Sequence, residues 1–419
     1  MKKLYLITTG FPYPAKSMET YLETESQYYG DFEEVNIISL GVKKNTLSEK
    51  RDVDCKSKLN VFPVVFGTKL EYIFNGITAL FDFNFYKEVG YLIKNKRFTI
   101  RRLIRLIIYI SRSHFDANRA VKTLKLDENH RIKDAVIYCY RFEYQPYVAL
   151  LLKKYFEKPT MVARAHGYDL YEERNSDQYI PARKILLEEY DRVYLISEDG
   201  CSYLSEKYPY YRDKLGISRL GTKDYGITDC GNADGVFRIV SCSNMVRVKR
   251  IDRIISALSK INSLNVEWIH FGSGEEEDTL TNLAANLLGG KIKFEFKGRV
   301  DNKVILDYYQ KNPVHLFINL SESEGIPVSI MEAMSFGIPC VATNVGGTAE
   351  IVEDRTNGRL VNSEDDEFIA MIIDELINMS PDKYNQCRIA ARNMWEKKYC
   401  ASDNYSSFVH EIMNLKGAQ

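Results

Sequence analysis

SESEGIPVSIMEAMSFGIPCVATNVGGTAE, residues 321–350, is the stretch on which the fold turns. Glu324 stands just before a glycine, Pro327 suits the first position of a helix, and Glu332 interrupts an apolar helical run of Val328, Ile330, Met331, Ala333 and Met334. A short strand, Ile338 to Thr343, and a glycine-rich turn, Asn344 to Gly347, follow. An unpaired carboxylate inside such a helix is costly. Glu332 is therefore either a buried acid satisfied by the protein itself or a residue facing a ligand. The second alternative is favoured, because the amides of Gly325, Ile326 and Val328 open the helix and its dipole attracts an anion there. Val328 and Ser329 share the helical face of Glu332. A phosphate at the helix start then leaves a ribose beside Glu332, whose carboxylate accepts from two adjacent hydroxyls.

Outward from this segment, short β-rich runs alternate with helical patterns in both halves of the 419 residues. Strands are expected near residues 4–9, 35–40, 135–140, 160–165 and 192–196, then near 237–241, 266–271, 291–296, 314–319 and 338–343. Helices are expected near 19–29, 144–155, 179–190 and 198–208, then near 251–261, 275–288, 303–311 and 328–336. Residues 69–125 look largely helical and form an insertion. Such alternation implies two doubly wound parallel sheets of α/β class, joined near residues 215–232. Ligands of such sheets bind off the carboxyl ends of the strands. The eight cysteines include no Cys-x-x-Cys pair, so neither a zinc site nor a disulfide framework is indicated.

The spacing of Glu324 and Glu332 lies within the longer pattern Glu-Gly-x-Pro-x4-Glu-Ala-Met-x2-Gly-x-Pro-x-Val-Ala-Thr. It resembles the Glu-x7-Glu motif of the retaining glycosyltransferases of family 4, which have the GT-B fold. The likeness is strongest from Arg238 to Val361. It implies two Rossmann-like domains facing a central cleft: an acceptor-side domain over 1–220 carrying the insertion, and a nucleotide-sugar-binding domain over 221–394. The last helix, 395–419, is then expected to pack back on the first domain.

The resemblance also assigns roles. Glu324 orients the donor sugar, and Lys249 takes the phosphate-binding lysine position in the segment Ser241 to Arg250. Asn244 occupies the usual arginine position, so Lys249, Arg247 or Arg250, together with helix amides, are expected to hold the diphosphate, surface solvation being the alternative for Arg247 and Arg250. The turn 271–275 resembles the family's Gly-x-Gly-x-Glu turn and brings in Gly274. The segment 297–300 resembles the one beside the nucleobase and brings in Arg299. His166, in the turn Arg164 to Asp169, matches a His-Gly turn that contacts the transferring sugar, and Gly10 falls in the loop that crosses the donor phosphates. A metal-independent, front-face transfer from a UDP- or GDP-sugar, without a cofactor, follows from the resemblance. A nucleotide-sugar epimerase and a non-catalytic nucleotide-sugar-binding subunit of a polysaccharide assembly complex are the alternatives.

Net charge is zero, yet residues 1–190 carry 31 Lys and Arg against 24 Asp and Glu. The excess concentrates in residues 94–112, where seven cations and no acid are interleaved with Ile and Leu. That pattern fits either a basic amphipathic helix on an anionic membrane or an ordinary packed helix with a solvated face. No recognised nucleic-acid-binding motif accompanies it, so a nucleic-acid partner is not expected. The apolar run Leu4 to Ile7 is too short for an export signal and no run reaches membrane-spanning length. A cytoplasmic protein is the expectation, peripheral at the inner face of the cell membrane if the basic stretch is the membrane-surface helix.

Overall fold

The computed structural model describes residues 2–14, 19, 21–67, 71, 75–231, 234–362 and 364–415. Residue 20 of the first expected helix, residues 69–70 and 72–74 of the insertion, Asn232 at the expected join and residues 416–419 lie outside the described residues. The chain divides into two compact units, residues 1–218 with 405–419, and residues 219–404.

The first unit is built on a seven-stranded sheet in the order β3-β2-β1-β4-β5-β6-β7. Its strands are β1 (Lys3–Thr8), β2 (Glu34–Val42), β3 (Lys58–Val65), β4 (Ala135–Cys139), β5 (Thr160–Ala165), β6 (Arg192–Leu195) and β7 (Leu215–Ile217). The second unit is built on a six-stranded sheet in the order β10-β9-β8-β11-β12-β13. Here the strands are β8 (Phe237–Cys242), β9 (Val266–Phe271), β10 (Lys293–Phe296), β11 (Leu316–Asn319), β12 (Cys340–Thr343) and β13 (Gly358–Val361). Every paired strand runs parallel. Strand order reverses between β1 and β4 in one unit and between β8 and β11 in the other, which opens a crevice at the carboxyl ends of each pair.

The strands that the sequence pattern misses are edge strands. Pro63 sits inside β3 and reads against a strand, but an edge tolerates a missing amide donor. β13 begins with a glycine and spans four residues. The expected helix 179–190 shortens to Arg183–Glu189, because Pro181 disfavours helical backbone in Ile180 and Ala182 is left-handed at φ 59°. Helices Asp366–Ile377 and Pro381–Lys398 were also not assigned from sequence.

The chain leaves the second unit later than residue 395. Trp395, fully buried, donates from Nε1 to Thr222 Oγ1 at 2.7 Å, and the Ala401 amide donates to the Thr222 carbonyl at 3.0 Å. These contacts hold residues 395–404 to the second unit. Further along helix Ala401–Asn414, Phe408, Val409 and Ile412 join Leu4, Leu6, Val136 and Tyr138 in a core of the first unit. Phe408 lies 5.1 Å from the rings of both Tyr138 and Tyr194, with the Arg164 guanidinium 4.2 Å from its centroid. Arg164 is itself buried and paired with the buried Glu25.

The basic stretch is less bare than it reads in sequence, because acids arrive from residues 172–177. Arg97 pairs with Glu172 at 2.6 Å and Arg105 with Asp177 at 3.3 Å. Arg102 donates to the Asp177 carbonyl, and Arg112 lies 3.6 Å from Asp116. The described part of the insertion is helical, with helices Phe83–Lys94 and Ile100–Leu124.

Truncating Phe408 removes a ring from a filled aromatic site. Phe408→Ala is expected to lower stability by about 3–5 kcal/mol, whereas Leu264→Ala, at a side chain 78% exposed, should change it by less than about 0.5 kcal/mol. Urea denaturation of the two variants against the parent measures both.

Candidate active site

In the second unit the loops leaving β8 and β11 are neighbours, and two glycines let a third approach. Gly272 has φ 144°, and a Cβ there would stand 1.8 Å from the Ser243 carbonyl oxygen. A Cβ on Gly274 would stand 2.2 Å from the Met245 carbonyl oxygen. The turn after β9 therefore seats directly against residues 243–245, with Met245 N donating to Ser273 O at 3.0 Å.

Beneath this turn His270 is buried, and burial lowers its pKa to about 4. Its ring is neutral near pH 7. Since a carbonyl only accepts, Nε2 carries the proton that bridges to Ser243 O at 3.1 Å, and Nδ1 accepts from Ser241 Oγ at 2.8 Å. Trp268 Nε1 donates to the same hydroxyl at 2.9 Å. Sequence reasoning missed His270; its signal is a histidine in the otherwise largely apolar strand β9.

Lys249 stands at the end of this loop and reaches the loop after β11. Its Nζ lies 2.6 Å from Glu324 Oε1, and Asn319 Nδ2 donates to the same oxygen at 3.3 Å. The second glycine turn holds the backbone beneath. Gly346 is left-handed at φ 51°, a Cβ there would stand 2.1 Å from Glu324 O, and Gly347 N donates to Gly325 O at 2.7 Å.

The chain then enters helix Val328–Ser335, which no side chain caps. Pro327 precedes the first helical residue instead of occupying it, and its carbonyl accepts from the amides of Ile330 and Met331. The amides of the first turn ahead of these have no intrahelical acceptor. Ile326 is buried under the turn. Glu332 is buried on this helix, and burial raises its pKa to about 7, opposed by a hydrogen bond from Asn302 Nδ2 at 2.8 Å. Of the two alternatives for this acid, the structure shows the burial, with Asn302 as its side-chain donor among the described residues.

The other residues proposed from sequence divide. Asn244 and Arg247 are exposed at the rim of the β8 loop. Arg250 is left-handed at φ 48° and is held by Asp252 and Glu322, at 3.1 and 2.9 Å. It is committed to carboxylates rather than to the Lys249–Glu324 pair. Arg299 is exposed on the turn after β10, next to Gly298, whose carbonyl accepts from Gly272 N. Asn302 and Asn319 were not singled out from sequence.

In the first unit the crevice lies beside β1, β4 and β5. Gly10 does not offer a free amide: the Glu19 carboxylate accepts from the amides of Thr9, Gly10 and Phe11, each at 3.0 Å. The amide at Gly10 is thus occupied by a carboxylate of its own unit. His166 follows β5. Its amide donates to Asp169 Oδ1 at 2.8 Å, its Nδ1 lies 3.7 Å from Oδ2, and its ring tilts against Tyr140 with centroids 4.7 Å apart. Burial lowers the His166 pKa and keeps the imidazole neutral. Asp169 also accepts from Phe142 N at 2.7 Å; against burial, His166, Arg141 and this amide hold it well below the usual carboxylate range.

Residues 230–394 match the family described as glycosyl transferases group 1. N-acetyl-alpha-D-glucosaminyl L-malate synthase of Bacillus anthracis is 27% identical over 183 residues, which cover 43% of this chain and 44% of that protein. The chain spans less than half the length of the first curated relatives it matches. Among solved structures, Anabaena Alr3699/HepE in complex with UDP and glucose superposes with a TM-score of 0.64 at 15% identity, over 99% of this chain and all (100%) of that one. Sucrose-phosphate synthase from Thermosynechococcus elongatus gives a TM-score of 0.68 at 16% identity, over 98% of each chain. The fold is GT-B. Within this GT-B chain the matched region contains Lys249, Glu324 and Glu332, whereas Gly10 and His166 lie outside it.

The raised pKa of Glu332 has a measurable sign. Between the ordinary carboxyl pKa of 4.5 and about 7, the unfolded chain releases this proton while the folded unit keeps it. Stability from this group therefore falls as pH rises through that window. Relative to the parent, Glu332→Gln is expected to gain roughly 3 kcal/mol between pH 5 and pH 8. Denaturant titrations of both proteins at the two pH values measure it, and a difference independent of pH would contradict the buried, weakly satisfied acid.

Proposed function

We propose that this chain is a retaining, metal-independent glycosyltransferase that moves a sugar from a nucleotide-diphosphate sugar to a hydroxyl acceptor. The acceptor is a saccharide or a lipid-linked saccharide in surface polysaccharide or glycolipid assembly, reached from a peripheral position at the cytoplasmic face of the membrane. The observation that carries this proposal is the Lys249–Glu324 pair, set beside an uncapped helix start at the β8/β11 reversal. A cation, free amides and a displaceable carboxylate meet there, in the region that matches group 1 glycosyl transferases.

The chemistry follows from leaving-group charge. As the glycosidic bond breaks, negative charge grows on the diphosphate, and Lys249 with the amides after Gly325 stabilises it. Binding the diphosphate draws Lys249 away from Glu324, which frees that carboxylate to accept from hydroxyls of the donor sugar. Glu332 accepts from the ribose, with Asn302 holding it in place. The neutral His166, oriented through Asp169, contacts the transferring sugar. A donor phosphate oxygen takes the proton of the acceptor hydroxyl as that oxygen attacks from the departing side, so the anomeric configuration is kept. Positioning and electrostatics supply most of the rate. UDP is the favoured nucleotide, since a structure of the same fold was solved with UDP and glucose.

Glu332→Gln is expected to weaken nucleotide-sugar binding and Glu324→Ala mainly to lower turnover, each by about 1.5–3 kcal/mol. Saturation-transfer NMR with UDP-, GDP- and ADP-sugars, followed by donor turnover, measures both. Unchanged affinity and turnover in both variants would sink the assignment, and donor bound but never consumed would favour a binding subunit.

Transfer should also survive excess EDTA, because side-chain cations and amides carry the leaving-group charge in this mechanism. Loss of activity that Mg²⁺ or Mn²⁺ restores would refute metal independence.

A further inference from the structure

The insertion carries an outward face that its own unit does not cover. Helix Ile100–Leu124 buries Leu106, Tyr109 and Ile110 in the core, and Arg102 and Arg105 fasten it to residues 175–177. On its other side Ile100, Ile104 and Ile108, spaced four residues apart, are 72%, 51% and 60% exposed. Helix Phe83–Lys94 adds a second apolar stripe of Phe83, Tyr86 and Ile93, with Phe83 72% exposed. Single exposed apolar residues are ordinary; two stripes on adjoining helices are not.

Charge is sorted with the same polarity. Lys87, Lys94, Lys96 and Arg101 are exposed among these stripes, and Lys87 Nζ stands 5.2 Å from the Phe83 ring centroid. The acids of the two helices are withdrawn. Glu88 is buried and accepts from Tyr179, Asp116 is buried beside Arg112, and Asp82 at the first helix's start is taken up by Asn84, His114 and Tyr147. A face that combines Ile and Phe with Lys and Arg, with no exposed acid among the described residues of these two helices, matches a surface that is apolar below and anionic above.

We propose that helices Phe83–Lys94 and Ile100–Leu124 dock this protein on the anionic surface of a lipid bilayer, Ile100, Ile104, Ile108 and Phe83 entering the acyl boundary while Lys87, Lys94, Lys96 and Arg101 meet lipid phosphates. A second copy of the chain is a poorer occupant, because a two-fold contact through this face sets the same cations against each other. No helix among the described residues is long and apolar enough to cross a membrane, so the contact is peripheral. The surface deepens the lipid-linked acceptor proposed above and rests on that reading only for its purpose. It also revises the charge pattern read from sequence, since Arg97, Arg102 and Arg105 are engaged inside the unit.

The test is co-sedimentation of the full chain with phosphatidylcholine vesicles, with and without phosphatidylglycerol, at low and high salt. The parent should bind the anionic vesicles, and binding should weaken with salt as the Debye length shrinks. Ile104→Ser/Ile108→Ser and Lys94→Glu/Arg101→Glu should each reduce binding at least tenfold, while Leu264→Ser, at an exposed apolar residue elsewhere, should not. All positions are exposed, and circular dichroism with donor binding checks that the variants fold. Failure of the parent to bind anionic vesicles, or equal binding by both double variants, overturns the proposal. So does concentration-dependent self-association that the same variants abolish in the absence of vesicles. Transfer to a soluble acceptor is read in parallel: vesicle binding without transfer rejects the catalytic reading alone, and transfer without vesicle binding rejects the docking surface alone.

Discussion

A parallel strand cannot pair with its successor through a tight turn, so each strand of these sheets returns through a crossover. All loops that leave the carboxyl ends therefore gather along one edge, and where strand order reverses two of them diverge and leave a crevice. That constraint places Lys249 after β8 and Glu324 after β11 although 75 residues separate them. Glycine makes the gathering close. At 272, 274 and 346 any side chain would collide with a carbonyl oxygen of the neighbouring loop, so these positions set how near the backbones come.

Charge at each unit's crevice is provisional. In the second unit Lys249 is satisfied by Glu324 and, among the described residues, Glu332 by Asn302, while in the first unit the Gly10 loop is satisfied by Glu19. The three carboxylates differ in what they can release. Glu324 holds a lysine that a phosphate can also hold. Glu19 is buried and binds three amides, which makes it part of the frame. Glu332 is under-satisfied, and hydroxyl donors would complete it.

Most of the architecture was legible because apolar periodicity and glycine placement are local properties. β5 and β9 begin and end where the pattern places them. What escaped was decided at a distance. β3 contains a proline that only an edge tolerates, and the arginines of the insertion meet acids supplied some 70 residues later. The candidate site divides in the same way. Glu324, Glu332 and Lys249 were visible through motif spacing, whereas Asn302, Asn319 and His270 matter through contacts that no spacing encodes. The carboxylate that takes the Gly10 amide, nine residues away at Glu19, was likewise not visible in the pattern.

Helix Ala401–Asn414 belongs partly to each unit, and the first unit is discontinuous in sequence as a result. One core of this unit includes Phe408, Val409 and Ile412, which cover Leu4, Leu6 and Val136. On the ribosome the strands of that sheet emerge first, yet this face stays uncovered until the whole second unit has been synthesised. The second unit, continuous from residue 219 to 404, has no such dependence. Order of synthesis and order of completion are thus inverted, and the nascent first unit spends the longest interval with apolar surface open to chaperones.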